Sequence, residues 1–114
     1  QTHDAVSILF ADVVGFTAMS ERLPAMEVVT LLNKIFTAFD ELLIELQIEK
    51  IKTIGDAYMA VSGAPIPRGD HVDVMCLFAL RMLDALNEFN AQQKENEPNF
   101  GLRIGINCGS LVAG

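Results

Sequence analysis

The stretch IEKIKTIGDAYMAVSGAP, residues 48–65, decides the fold. Ile48 to Ile54 and Ala57 to Ser62 are two short runs rich in strand formers, and the Gly55-Asp56 pair between them is the sequence sign of a tight type II′ hairpin. The chain therefore turns back on itself here, with Asp56 at the tip. Such a turn makes an antiparallel strand pair, which argues against a sheet built only from alternating parallel βα units.

Upstream, Val6 to Ala11 (VSILFA) is dense in β-branched and aromatic residues and reads as a buried strand, with Asp12 where it ends. Thr17 or Ser20 offers a helix cap, Pro24 suits a first helical turn, and Val28, Leu32, Ile35, Phe39, Leu42 and Leu46 then recur at helical spacing. Downstream, Pro65, Pro67 and Gly69 make a loop. Asp70 can cap a second helix, with an apolar stripe of Val72, Met75, Cys76, Ala79, Leu80, Leu83, Leu86 and Phe89. Polar Gln92 to Asn99 ends it, and Gly101 to Cys108 (GLRIGINC) alternates like one more strand. The order strand, helix, strand, strand, helix, strand is the split βαβ plan of ferredoxin-like α+β folds.

A chain of 114 residues, half of them apolar, has the length of one small domain, able to bury about 65% of its unfolded surface. Fifteen acidic residues against 8 basic ones give a formal charge of −7 with no local basic patch, which excludes nucleic acid as the expected partner. Asp12, Glu27, Asp40 and Asp84 interrupt the apolar runs before the roughly 18 to 20 residues of a membrane span, so no membrane contact is expected from this segment. The first residue is Gln1 rather than Met, and no leader pattern follows it, so the chain reads as a piece of something longer. Cys76 and Cys108 have neither zinc-site spacing nor the density of a disulfide scaffold, and read as reduced core or near-core residues. His3 and His71 read as surface residues, and the five methionines as packing positions.

The chemistry gathers around two carboxylates. In this topology the strand that ends in Asp12 and the Gly55-Asp56 hairpin are neighbours at the centre of the sheet, and two acids brought together call for a cation. Hard oxygen ligands suit magnesium or manganese, which take further ligands from water and from substrate phosphates. The Val14-Gly15-Phe16-Thr17 turn leads toward a helix, where free backbone N–H groups favour an anion. Carboxylates, metal ions and a phosphate-accepting turn make a site for phosphoryl or nucleotidyl transfer. Taken singly, each acid has an ordinary alternative: Asp12 as a helix cap and Asp56 as turn chemistry. Their pairing with the Gly-Phe-Thr turn favours the site.

The stretches ILFADVVGFT (8–17), IEKIKTIGDAYMAVSGAP (48–65) and LRIGINCGSLVAG (102–114), in this order, resemble the class III nucleotidyl cyclases, the adenylate and guanylate cyclase catalytic domains. The resemblance runs from end to end of the chain and implies a partial catalytic domain over 1–114, with the core order β-α-α-β-β-α-β cut before its last elements. It implies conversion of a nucleoside triphosphate to a 3′,5′-cyclic monophosphate and pyrophosphate, by attack of the ribose 3′-hydroxyl on the α-phosphorus. Two Mg2+ or Mn2+ ions per site would be held by Asp12, Asp56 and the carbonyl of Val13. Amides of Gly15, Phe16 and Thr17 would take the terminal phosphates, helped by Arg103. Sites in the family lie between head-to-tail domains, and with both aspartates and Lys52 on one chain a homodimer with two equivalent sites is implied.

Lys52 matches the family position that contacts the purine, where adenylate cyclases carry Lys and guanylate cyclases Glu. An ammonium donates to ring nitrogens of adenine. The expected activity is therefore adenylate cyclase acting on ATP, with guanylate cyclase or a catalytically silent regulatory dimerisation domain as alternatives. The family's Asn and Arg that orient the ribose and stabilise transferring charge fall after Gly114, as does its second purine contact, so the segment by itself is expected to turn over little. ATP and magnesium place the expected catalytic segment in the cytoplasm, whether or not a membrane anchor lies elsewhere in the polypeptide. A phospho-acceptor receiver domain would need an acid pair at its first strand and parallel βα units. Diguanylate cyclases and polymerase palms share the split βαβ plan, but the tip here is Ile54-Gly55-Asp56-Ala57, without a Gly-Gly-acidic signature.

Overall fold

The computed structural model describes residues 2–15, 21–54, 57–94 and 99–112. Within them the chain runs β1 (Thr2–Val14), α1 (Ala25–Leu46), β2 (Glu49–Ile54), β3 (Ala57–Ser62), α2 (His71–Ala91) and β4 (Gly101–Val112). The strands form one sheet in the order β2-β3-β1-β4, every neighbouring pair antiparallel. This is the ferredoxin-like α+β arrangement, with β1 and β3 at the centre as the hairpin reading requires.

Strand alternation divides the sheet into two faces. On β1, Leu9, Ala11 and Val13 are buried, as are Tyr58 and Ala60 on β3, while the helices contribute Ile35, Phe36, Phe39, Val74, Met75, Phe78 and Met82 to the same core. Phe10, Asp12 and Val14 point the other way and are exposed, Phe10 by 47%. An exposed acid thus sits inside β1 rather than at its end. A strand paired on both sides accepts a polar residue wherever one face is uncovered.

The helices owe their ends to the loops. Pro24 is the N-cap of α1 and makes no side-chain cap bond. At the other end Gln47 takes a left-handed φ of 57°, the Ile48 N–H donates to Leu43 O at 2.9 Å, and α1 has no basic residue in its last turn. Arg68 supplies that charge from the loop before α2. Its Nη1 donates to Leu46 O at 3.1 Å and Gln47 O at 3.0 Å, and its fork is bidentate to Asp70. Asp70 is the N-cap position of α2 as expected, but makes no cap bond because Arg68 occupies its carboxylate, holding its pKa below the usual carboxylate value. Asn90 closes the molecule by donating to Phe100 O at 2.8 Å and accepting from Phe100 N at 2.9 Å, which ties α2 to the approach to β4.

Two expectations change, for the cysteines and for His71. Cys76 and Cys108 are free but exposed: α2 buries Val74, Met75, Phe78, Met82 and Leu86 and leaves Val72, Cys76, Leu80 and Leu83 facing outward, and Cys108 lies on the edge strand β4. His71 is only partly exposed, its Nδ1 lying 2.7 Å from the buried Ser7 Oγ. The proposed caps Thr17 and Ser20 lie outside the described residues.

Candidate active site

The pairing register brings several of the sequence-derived residues together on the uncovered face. Asp12 is directly opposite Ala57 on one side and Arg103 on the other. Directly opposed residues of an antiparallel pair share a face, with Cβ atoms about 5 Å apart, so Arg103 is the cross-strand neighbour of Asp12. Among the described residues the two form no ion pair, and both side chains are exposed. The arginine is therefore available for a ligand's anion beside the acid.

Lys52 reaches this face through an irregularity. Lys50 is opposite Ala60, but Lys52 is opposite Met59, so β2 carries an extra residue between them, a β-bulge. Ala60 is on the helix face and Met59 on the uncovered one, which places the two lysines on opposite sides of the sheet. Lys50 pairs with Asp40 of α1 at 3.1 Å and lies 5.5 Å from the Tyr58 ring centroid. Lys52 shares its face with Phe10 and Asp12, about 12 Å from Asp12 between Cα atoms, given strand spacing of ~4.8 Å and a rise of ~3.4 Å per residue.

Gly15 ends β1 with φ of 94°, a left-handed conformation that favours glycine and lets the chain turn away from the sheet directly after Val14. Val13 is buried on the helix side, so only its backbone could face a ligand. Asp56, Gly55, Phe16 and Thr17 lie outside the described residues. Among the described residues no three metal-ligating side chains converge, and the carboxylate that could hold a metal is Asp12. Its chemistry suits a hard cation: an exposed strand carboxylate without a hydrogen-bond or ion-pair partner among the described residues.

Sequence reading passed over Asp40 and Tyr58, which hold this region from behind. The Tyr58 hydroxyl donates to Asp40 Oδ1 at 2.6 Å, and its ring packs against Phe36, Phe39 and Phe78 at centroid distances of 5.3, 5.6 and 6.4 Å. Burial and the Asp40 carboxylate push the phenol's pKa far above its ordinary value. The signal was present as an acid inside a helix and a polar-tipped aromatic inside a strand, but nothing local links residues 18 positions apart.

The family model of the adenylate and guanylate cyclase catalytic domain matches residues 1–114. The chain belongs to that family. It is 42% identical over 114 residues to the receptor-type guanylate cyclase gcy-28 of Caenorhabditis elegans, covering all of this chain and 9% of the relative. Among solved cyclases, the guanylate cyclase domain of RhGC from Catenaria anguillulae in complex with GTP is 32% identical, with a TM-score of 0.87 over all of this chain and 61% of that one. A non-canonical dimeric guanylyl cyclase domain of the RhoGC fusion protein from Blastocladiella emersonii matches at 31% identity and TM-score 0.87, covering 100% of this chain and 62% of the other. A bacterial light-regulated adenylyl cyclase matches at 25% identity and TM-score 0.86, with 100% and 57% covered. The cyclase chain thus spans a small part of its curated relative and about three fifths of the solved domains. No helix among its described residues is long and apolar enough to cross a membrane.

Proposed function

We propose that the chain is the larger part of a nucleotidyl cyclase catalytic domain that forms a cyclic purine nucleotide and pyrophosphate. The observation that carries this reading is the exposed Asp12 on the uncovered sheet face, flanked by Arg103 and by the strand that follows the hairpin tip. Ala57 is opposite Asp12, and Asp56 is one peptide link from Ala57.

Two Mg2+ or Mn2+ ions, when bound, supply activation of the ribose 3′-hydroxyl and neutralisation of the leaving pyrophosphate. In this reading Asp12, Asp56 and the Val13 carbonyl hold them. The amides of Gly15, Phe16 and Thr17 orient the terminal phosphates, Arg103 offsets their charge, and Lys52 meets the base. The exposed apolar Phe10 and Val14 beside Asp12 suit a second copy of the domain, which supports a head-to-tail homodimer with sites between the copies. The catalytic segment would work in the cytoplasm.

The identity to receptor-type guanylate cyclases supports GTP as the substrate over the ATP expected from Lys52. An ammonium is compatible with that choice, because guanine O6 and N7 both accept hydrogen bonds. Lys52 itself favours a second reading, ATP, and the adenylyl cyclase among the structural neighbours keeps the fold open to it. The test is cyclic nucleotide production from GTP and ATP side by side, with Mg2+ and with Mn2+, in a complete catalytic domain carrying this segment. Cyclic GMP lost in Asp12→Ala and Asp56→Ala supports the first reading. Cyclic AMP as the main product replaces GTP with ATP while leaving the mechanism. No product from either nucleotide in a folded dimer sinks the enzyme reading in favour of a silent regulatory domain.

A further inference from the structure

We propose that Tyr58, held by Asp40, is a positioning residue for the metal-binding site at Asp12, acting from the helix side of the sheet. This rests on the reading of Asp12 and Asp56 as the metal acids. Along the central ladder Ala11 is opposite Tyr58 and Asp12 is opposite Ala57. The side chains of residues 57 and 58 therefore point to opposite faces: Ala57 toward the site, Tyr58 into the core. One peptide link beyond Ala57 comes Asp56. Asp12 is thus carried on the ladder that Tyr58 anchors.

Two anchors meet at Tyr58. Its ring, 1% exposed, is enclosed by Phe36 and Phe39 of α1 and Phe78 of α2. Its hydroxyl donates at 2.6 Å to Asp40, whose carboxylate also takes Lys50 Nζ at 3.1 Å. Tyr58 is on β3 and Lys50 on β2, so a single carboxylate on α1 ties both limbs of the hairpin to one helical turn. The uncovered face has no equivalent tie: among the described residues neither Asp12 nor Lys52 has an ion-pair partner. Metal ligands must be held to within about 0.5 Å by neighbours that are themselves locked, and here the lock is on the far side of the sheet.

The decisive measurement is Mn2+ binding without nucleotide, read from the electron paramagnetic resonance signal of the free ion, at a temperature where circular dichroism shows each variant folded. Tyr58→Phe keeps the ring and removes one hydrogen bond, and is expected to raise the Mn2+ dissociation constant about tenfold, as loss of supporting shells does at metal sites. Asp40→Asn keeps an acceptor for Tyr58 and should stay within about twofold of the parent, whereas Asp40→Leu should reproduce Tyr58→Phe. If Tyr58→Phe and Asp40→Leu lower the melting temperature but leave Mn2+ affinity unchanged, the role is structural only and the proposal is overturned. Asp56→Ala separates the two ideas. Binding lost in Asp56→Ala but intact in Tyr58→Phe sinks the positioning role alone, and binding intact in Asp56→Ala sinks the metal reading and the proposal with it.

Discussion

Replacing Tyr58 with Phe should reverse its effect on stability as the pH rises. At pH 8 the substitution removes a hydrogen bond to a carboxylate and nothing else, a loss of about 1.5 kcal/mol, since Asp40 is 40% exposed and rehydrates readily. The phenol's folded pKa is raised well above its ordinary 10.0. A raised folded value means that the stabilisation is complete below pH 10 and lost above it, where the unfolded chain releases a proton that the folded chain keeps. Each pH unit beyond 10 then costs about 1.4 kcal/mol, or about 2 kcal/mol by pH 11.5. The parent and Tyr58→Phe should therefore be equally stable near pH 11, with the variant the more stable beyond it. Urea unfolding of both proteins at pH 8, 10, 11 and 11.5 measures this, and the difference between them cancels the lysines that titrate in the same range. Tyr58 is the only tyrosine in the sequence, so absorbance at 295 nm reports its ionisation directly. Parallel curves for the two proteins across that range would refute the reasoning.

Arg68→Ala strips two donors from the C-terminus of α1 and frees Asp70, and should cost about 1 to 2 kcal/mol in urea unfolding at neutral pH. Its acid limb should also flatten, because the lowered Asp70 pKa stabilises the parent above the ordinary carboxylate value and that share fades as pH falls. On α2, Phe78→Ala should cost about 3 to 5 kcal/mol, whereas Leu80→Ala, two residues along and 62% exposed, should stay within about 0.5 kcal/mol. Arg103→Gln should leave stability within about 0.5 kcal/mol and raise the nucleotide KM about tenfold in cyclase assays, because the side chain is exposed beside Asp12 and unpaired with it.

The hairpin shows what local sequence can reveal. Ala57 to Ser62 is both the sequence-derived and the observed span of β3, because a two-residue turn and β-branched neighbours are local signals. The central place of β1 followed from the split βαβ order of elements. Asp12 was read as the end of its strand because nothing local says that one sheet face is uncovered; β1 instead continues through it to Val14. On α2, apolar residues occur on two sides, so helical spacing alone could not choose between the stripe containing Met75 and Phe78 and the one containing Cys76 and Leu80. That Asp12, Arg103 and Lys52 share the uncovered face depends on strand pairing, and the Asp40–Tyr58 bond on contact between a helix and a strand, neither of which is a local signal.

The bulge in β2 has a consequence for how this hairpin tolerates change. Counting by twos, Lys50 and Lys52 would share one surface, and any substitution at either would be felt by both neighbourhoods. The extra residue sends Lys50 to the helix and Lys52 to the open face. Position 50 is then answerable to fold stability through Asp40, and position 52 to whatever occupies the open face. A substitution at position 52 can therefore leave the Asp40 tie at position 50 untouched.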